Sequence, residues 1–94
     1  MSEAYDNDEL DIQLKKCPEW EGDENAISRT IEFEDYMEAV DFVNTVAEMA
    51  EESQHHPEML ISYQSVTVTL TTHDEGGVTA LDIEMAQRID NLVD

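Results

Sequence analysis

Hydrophobic and polar residues follow two periods along this chain, one of two residues and one of three to four. A first strand pair is predicted between residues 18 and 34, around the turn-rich stretch 21–25, because apolar side chains alternate with polar ones in its second half. Residues 59–63 and 66–72 predict the two strands of a hairpin, and the second of them alternates Val and Leu with Thr. The two residues between them have the length of a tight hairpin loop.

Other segments have helical spacing. Residues 34–53 predict an amphipathic helix that begins at a capping residue, Asp35, and ends before Pro57. Residues 79–93 predict a second such helix, and residues 8–16 a short one. The apolar stripes predicted to face the core are Tyr36, Val40, Val43, Ala47 and Ala50 in the long helix and Leu81, Met85, Ile89 and Leu92 in the last.

The order of strand, strand, helix, strand, strand and helix predicts an α+β fold, with an antiparallel sheet backed by helices. A length of 94 residues suits one domain over residues 1–94, whose polar residues 1–9 we expect to be frayed. The lone cysteine, Cys17, cannot form an internal disulfide. No secretory leader and no apolar run of about 18 residues occurs, so we expect a cytoplasmic protein with no membrane association.

Acidic residues dominate the charge: 24 Asp and Glu stand against 4 Lys and Arg, for a net charge of -20. Such a surface repels nucleic acid phosphates and anionic membranes, which argues against direct nucleic acid binding. It is also what a protein adapted to concentrated salt would carry, because the screening length falls to about 3 Å at 1 M salt. A halophile-like protein is therefore expected to gain stability with salt.

The three histidines are predicted to meet at one end of the second hairpin. With the loop at residues 64–65, pairing continued along both strands places His73 opposite His56, next to His55. Three interpretations compete for this cluster: a chance surface grouping, a zinc site, and metal-free acid/base chemistry. Zinc is disfavoured because no cysteine lies near and the usual spacing of two histidines on one helix is absent. Histidine suits proton transfer near neutral pH, especially beside a carboxylate.

The spacing of these residues resembles the signature of the pterin-4a-carbinolamine dehydratases. The matching positions are Glu51, His55, His56, Pro57, Tyr63, His73 and Asp82. The resemblance extends to the N-terminal half through Trp20, Arg29 and Phe33, so that it covers nearly the whole chain.

This resemblance implies dehydration of a 4a-hydroxytetrahydropterin to the quinonoid dihydropterin, the recycling step that follows aromatic amino acid hydroxylation. It implies a four-stranded antiparallel sheet with helices packed on one face, and catalysis without a metal or cofactor, the pterin being the substrate. By matching position, His55, His56 and His73 are expected to act as acid, base and pterin-holding groups. Which histidine is acid and which is base stays open.

The resemblance also implies supporting or substrate-binding roles for Glu51, Pro57, Asp82, Met59 and Tyr63. Met59 departs from the family pattern, which often has an aromatic residue there, and this affects the expected pterin side-chain preference. The resemblance further implies a homodimer or homotetramer, and we expect another subunit to cover the strand edge of residues 66–71. Two alternatives remain: a role in molybdopterin-related metabolism, and a non-catalytic module that stabilises a partner protein.

Overall fold

A computed structural model describes residues 3–94 of the chain. Within this part of the chain, four strands form one antiparallel sheet in the order β1-β2-β4-β3, and three helices accompany it. The predicted α+β class with a four-stranded antiparallel sheet is confirmed. In chain order the elements are α1 (Asn7–Leu14), β1 (Glu21–Gly22), β2 (Ile27–Glu32), α2 (Tyr36–Ser53), β3 (Glu58–Ser62), β4 (Ser65–Leu70), a 3-10 turn (His73–Glu75) and α3 (Ala80–Val93).

The core lies between the inner face of the sheet and the helices. Alternation along β4 sends its valines and Leu70 inward, where they are fully buried, and leaves its threonines on the outer face. Apolar residues of α2 and α3 close the other side, and the core also includes Leu10, Cys17 and Trp20. Cys17 is fully buried, and burial raises the pKa of its thiol, so it serves as a small core residue.

The predicted inward faces of both long helices were wrong in part. In α2 only Ala50 of the predicted stripe is buried, and Tyr36 is exposed. The buried face is rotated by about one position because Phe42, the largest apolar side chain of the helix, packs inward with Ala39 and Val46. In α3 the predicted residues Met85 and Ile89 are buried, whereas Leu81 and Leu92 are exposed.

The predicted hairpin register was also wrong. Ser62 pairs with Ser65, so the loop is Tyr63 and Gln64, one residue earlier than expected. Tyr63 adopts a left-handed backbone with φ 55°, which a two-residue hairpin loop of the primed type requires at its first position. The corrected register removes the predicted pairing of His56 with His73, because β4 ends at Leu70 and His73 opens the 3-10 turn.

The ends and edges of the fold differ from expectation as well. Residues 7–9 are helical, and the Tyr5 N–H donates to the Val78 carbonyl at 2.9 Å, so fraying is wrong for this stretch; residues 1 and 2 lie outside the described part. The strand edge of 66–71 is not free, because β4 lies between β2 and β3. Within residues 3–94, no helix is long and apolar enough to cross a membrane.

Candidate active site

The C-terminal end of α2 directs the two adjacent histidines to different surroundings. Gln54 ends the helix in a left-handed conformation, φ 53°, and its N–H donates to the Ala50 and Glu51 carbonyls. The His55 N–H then reaches the Ala50 carbonyl at 3.1 Å. Pro57 prevents a further helical turn, and β3 begins directly after it. This reversal sends the His55 side chain toward α3 and leaves His56 in solvent.

His55 contacts a fully buried carboxylate. Its Nε2 lies 2.5 Å from Oδ1 of Asp82, the third residue of α3, and its own side chain is only 11% exposed. The other carboxylate oxygen of Asp82 accepts from the Thr72 hydroxyl at 2.8 Å and from the Thr79 N–H at 2.9 Å. Thr79 and Asp82 form a reciprocal capping box at the start of α3. Asp82 therefore caps a helix and anchors a histidine at once.

His56 contacts an exposed carboxylate. Its Nε2 lies 2.5 Å from Oε2 of Glu51, one turn back on α2. Both side chains are exposed, at 56% for His56 and 73% for Glu51. Water competes for this pair, which holds His56 more loosely than Asp82 holds His55.

His73 is exposed and opens the 3-10 turn that follows β4. The turn is closed by a two-way backbone bridge between Thr72 and Gly77, with N–H to carbonyl distances of 3.0 and 3.3 Å. A side chain at Gly77 would lie 2.5 Å from the Glu24 carbonyl, so this position accepts only glycine without a shift of the loop. His73 thus follows directly on Thr72, whose hydroxyl binds the same carboxylate as His55.

Of the other expected site residues, two lie away from the histidines. Tyr63 occupies the loop at the opposite end of β3, 69% exposed and stacked on Tyr36 with ring centroids 6.5 Å apart. Met59 pairs with Val68 and packs against the core from the inner face of the sheet. The structure therefore gives Met59 a packing role and does not bring Tyr63 to the cluster.

Two residues at the site, Thr72 and Thr79, were not predicted from the sequence in this role. Thr79 lies three residues before an acid at the start of the predicted last helix, and this capping-box spacing could have indicated that Asp82 points inward. Thr72 carried no such signal, because it continues the threonine alternation of the preceding strand.

Burial and nearby carboxylates, Asp82 among them, perturb the phenol of Tyr5. The pKa of Tyr5 is raised by burial first, and then by the carboxylates of Glu9, Glu84 and Asp82. His55 also lines an open cavity of about 700 Å³ together with Ser53, Leu81, Met85 and Arg88. Across the described residues, no group of three or more His, Cys, Asp or Glu side chains is arranged to hold a metal ion.

Comparison with known proteins decides the family. The model of the pterin 4 alpha carbinolamine dehydratase family matches residues 3–92. The chain belongs to the pterin-4a-carbinolamine dehydratase family. Two relatives from Natronomonas pharaonis and Picosynechococcus sp., provisionally named pterin-4-alpha-carbinolamine dehydratase, are 46% and 45% identical over 94 and 92 residues. Those matches cover 100% and 98% of this chain and the whole of each relative.

Two solved structures are similar to this chain in fold. A transcriptional coactivator/pterin dehydratase from Brucella melitensis is 37% identical, with a TM-score of 0.87 over 93% of this chain and 95% of its own. A pterin dehydratase-like protein, identified as a RuBisCO assembly factor in the alpha-carboxysome, is 23% identical, with a TM-score of 0.63 over 78% of this chain and 84% of its own. The second likeness shows the fold alone.

Proposed function

We propose that this chain is a 4a-hydroxytetrahydropterin dehydratase, releasing water to give the quinonoid dihydropterin. The observation that carries the proposal is a histidine, His55, fixed on a buried carboxylate, with His56 beside it and His73 next to another ligand of that carboxylate. Membership in the dehydratase family supports the same reaction. The product returns pterin cofactor to aromatic amino acid hydroxylases.

The chemistry needs two proton transfers. The C4a–O bond breaks as the leaving hydroxyl takes up a proton, and a ring nitrogen gives up its proton. The electron pair of that N–H bond becomes the new C4a=N double bond, so one water leaves and no electrons are gained or lost overall. Histidine is suited to both transfers near neutral pH.

We assign the protein groups by their surroundings. The three histidines carry the acid, base and pterin-holding roles. Asp82 supports His55 from the interior, and Glu51 supports His56 from the surface. Pro57 supports the pair by ending α2 in the turn that separates their side chains. The reaction as proposed uses no metal and no cofactor, because the pterin is itself the substrate.

The test is a stopped-flow assay of 4a-hydroxytetrahydropterin dehydration at high salt with a chelator present. We expect turnover above the spontaneous rate that survives chelation and falls about a hundredfold or more in His55→Ala and His56→Ala, as expected for general acid–base groups. Glu52→Gln, an exposed acid next to Glu51, is the matched surface control and should retain full turnover. Loss of activity on chelation would contradict the metal-free mechanism.

Absence of turnover in the wild type would refute the proposed reaction and redirect attention to two other roles. Processing of a molybdopterin-related substrate is one. The other is stabilisation of a partner protein, a role for which the fold has a precedent in the RuBisCO assembly factor. Activity with a molybdopterin precursor would favour the first, and a stoichiometric partner in a pull-down without turnover the second.

We also propose that a second copy of the chain covers the free edge of β3. This edge strand carries exposed Leu60 and continues into exposed Tyr63, and no charged residue occurs between Glu58 and His73. Free edges are ordinarily protected by charges, and two copies of net charge -20 repel each other except across an uncharged surface. Both considerations favour a homodimer or a tetramer built from such dimers.

Light scattering at molar potassium chloride tests this contact. The wild type should have at least twice the mass of the chain, and Leu60→Lys should shift it toward the monomer. Ile12→Lys, which charges a similarly exposed apolar residue on α1, is the control and should leave the mass unchanged. A monomeric wild type would refute the contact.

A further inference from the structure

We infer that Thr72 is a positioning residue for the proposed reaction: through Asp82 it fixes the tautomer of His55, so that Nδ1 is the ring nitrogen that exchanges a proton with the pterin. The inference rests on the proposed dehydratase function. The Thr72 hydroxyl contacts the Asp82 carboxylate and is not itself a reacting group.

The direction of each hydrogen bond follows from the chemistry of the groups. As a carboxylate, Asp82 can only accept, so both the Thr72 hydroxyl and the His55 Nε2–H must donate to it. The Thr72 proton is then committed to Asp82. The 2.8 Å contact between the Thr72 and Thr79 hydroxyls must therefore be donated by Thr79, whose oxygen accepts the Leu81 N–H at 3.2 Å.

The resulting chain runs from Thr79 to Thr72 and then to Asp82, which receives the His55 Nε2–H on its other oxygen. Thr79 and Asp82 are fully buried and Thr72 is 9% exposed, so water has little access to compete for these bonds. The backbone bridge between Thr72 and Gly77 holds the hydroxyl of Thr72 in place. A buried and fully paired network of this kind fixes the orientation of each member.

The remaining ring nitrogen of His55 is the one left for chemistry. Within residues 3–94, Nδ1 of His55 has no hydrogen-bond partner, and no buried side-chain nitrogen or oxygen is left without one. Nδ1 is therefore accessible to solvent, and His55 lines the cavity of about 700 Å³. With Nε2–H held by Asp82, neutral His55 presents a lone pair at Nδ1 and can take the proton of the pterin ring nitrogen.

The imidazolium formed by that transfer is stabilised by Asp82, which carries the opposite charge. Thr72 contributes by keeping Asp82 from rotating, and by occupying the oxygen that His55 does not use. Without the Thr72 hydroxyl, Asp82 loses one of the two donors to its inner oxygen and is freer to rotate. Once its other oxygen no longer faces Nε2, the alternative His55 tautomer, with the proton on Nδ1, becomes accessible.

The test compares Thr72→Val, which removes the hydroxyl at nearly constant volume, with Thr72→Ser, which keeps it. The fraction of each His55 tautomer is read from ¹⁵N NMR of histidine-labelled protein, with the His55 signals assigned by their loss in His55→Asn. We expect the wild type and Thr72→Ser to show the Nε2–H form, and Thr72→Val a mixture. Turnover in Thr72→Val should fall about tenfold in kcat with little change in KM, the size expected for one hydrogen bond to a charged group.

Thr69→Val is the matched control, because it makes the same substitution on the outer face of β4, away from Asp82. It should leave both tautomer and kcat unchanged. Thr72→Ala supplies the same comparison if Thr72→Val fails to fold. An unchanged Nε2–H form in the hydroxyl-free variants, or failure of Thr72→Ser to restore the wild-type values, would overturn the inference. If Thr72→Val shifts the His55 tautomer but the wild type itself shows no turnover, the dehydratase function is refuted and the positioning of His55 by Thr72 is supported.

Discussion

Two neighbouring histidines meet carboxylates at the same distance in opposite surroundings. His55 lies 2.5 Å from Asp82, which is fully buried, and His56 lies 2.5 Å from Glu51, which is 73% exposed. Besides His55, two further donors bind the Asp82 carboxylate. For the Glu51 carboxylate, the hydrogen bond found within residues 3–94 is the one with His56. Burial and additional partners, rather than distance, therefore separate a fixed pair from an adaptable one.

This contrast suggests a division of labour within the proposed reaction. A fixed histidine keeps one nitrogen aligned with the ring nitrogen of the pterin, which reduces the reorganisation that proton transfer needs. An exposed histidine can follow the leaving hydroxyl and exchange its proton with water. The backbone reversal at Gln54 creates the division by turning consecutive side chains in different directions.

The largest effect is expected from Asp82→Asn. The amide removes the charge opposite His55 and brings an NH2 group among groups that themselves donate hydrogen bonds. The free energy of unfolding should therefore fall by about 3 kcal/mol, typical for breaking a buried pair. Misalignment of His55 should lower kcat about a hundredfold. Urea unfolding and the dehydration assay measure the two effects.

The control for this variant is Glu84→Gln, which removes one negative charge from an exposed position on the same helix. It should change stability by less than about 0.5 kcal/mol. A loss in Asp82→Asn no larger than in this control would remove the distinction between the buried and exposed pairs.

The fold was predictable largely because its elements are set by local signals. Asp35 caps α2 as expected, its carboxylate accepting the Glu38 N–H at 2.9 Å, and the strands of the second hairpin follow their alternation. The inward face of α2 was not predictable from period alone, because apolar residues occupy adjacent stripes of the same helix. The packing of Phe42 against Phe33, with ring centroids 5.1 Å apart, belongs to tertiary structure.

The site was predictable in its residues but not in its connections. Sequence spacing indicated that the histidines gather near one end of a hairpin, yet the register used for that inference was wrong, because Tyr63 adopts a backbone that few non-glycine residues adopt. The pairing of His55 with Asp82 joins residues 27 positions apart on two helix ends, and no local pattern specifies it. The role of Thr72 appears only once Asp82 is known to point inward.

Salt should change the stability of the whole chain but hardly the contribution of the buried pair. Added potassium chloride screens the repulsion within a chain of net charge -20, so the melting temperature should rise between dilute and molar salt. The penalty of Asp82→Asn should stay nearly constant over that range, because a buried pair is screened little. A melting temperature independent of salt would contradict the halophile-like interpretation of the composition.

A smaller effect is expected from Glu51→Gln. Exposed pairs of this kind contribute about 0.5 kcal/mol or less, so the free energy of unfolding should hardly change in dilute salt and not at all in molar salt. The fall in kcat, expressed as an activation free energy, should exceed the loss in free energy of unfolding. The reason is that, in the proposed reaction, the carboxylate supports His56 more than it supports the fold. A stability loss comparable to that of Asp82→Asn would show that exposure does not weaken this pair.

Arg29 shows the same contrast between a more buried and a more exposed carboxylate at the end of α3, and here we expect the smallest effect. Its guanidinium contacts Asp90, which is 16% exposed and also accepts from the Trp20 indole at 2.8 Å, and Asp94, which is 54% exposed, at 3.1 Å. The hydrogen bond from Arg29 lowers the pKa of Asp94.

Because that pKa is lower in the folded state than in the unfolded state, the contribution of Asp94 to stability is complete above about pH 3.9, the usual value for aspartate, and is lost as pH falls through the folded value. Asp94→Asn should therefore be slightly less stable than the wild type at neutral pH, and the difference should vanish in acid. Paired urea titrations at neutral and acidic pH measure this difference. A gap between wild type and variant that widens on acidification would have the wrong sign for a carboxylate stabilised by Arg29.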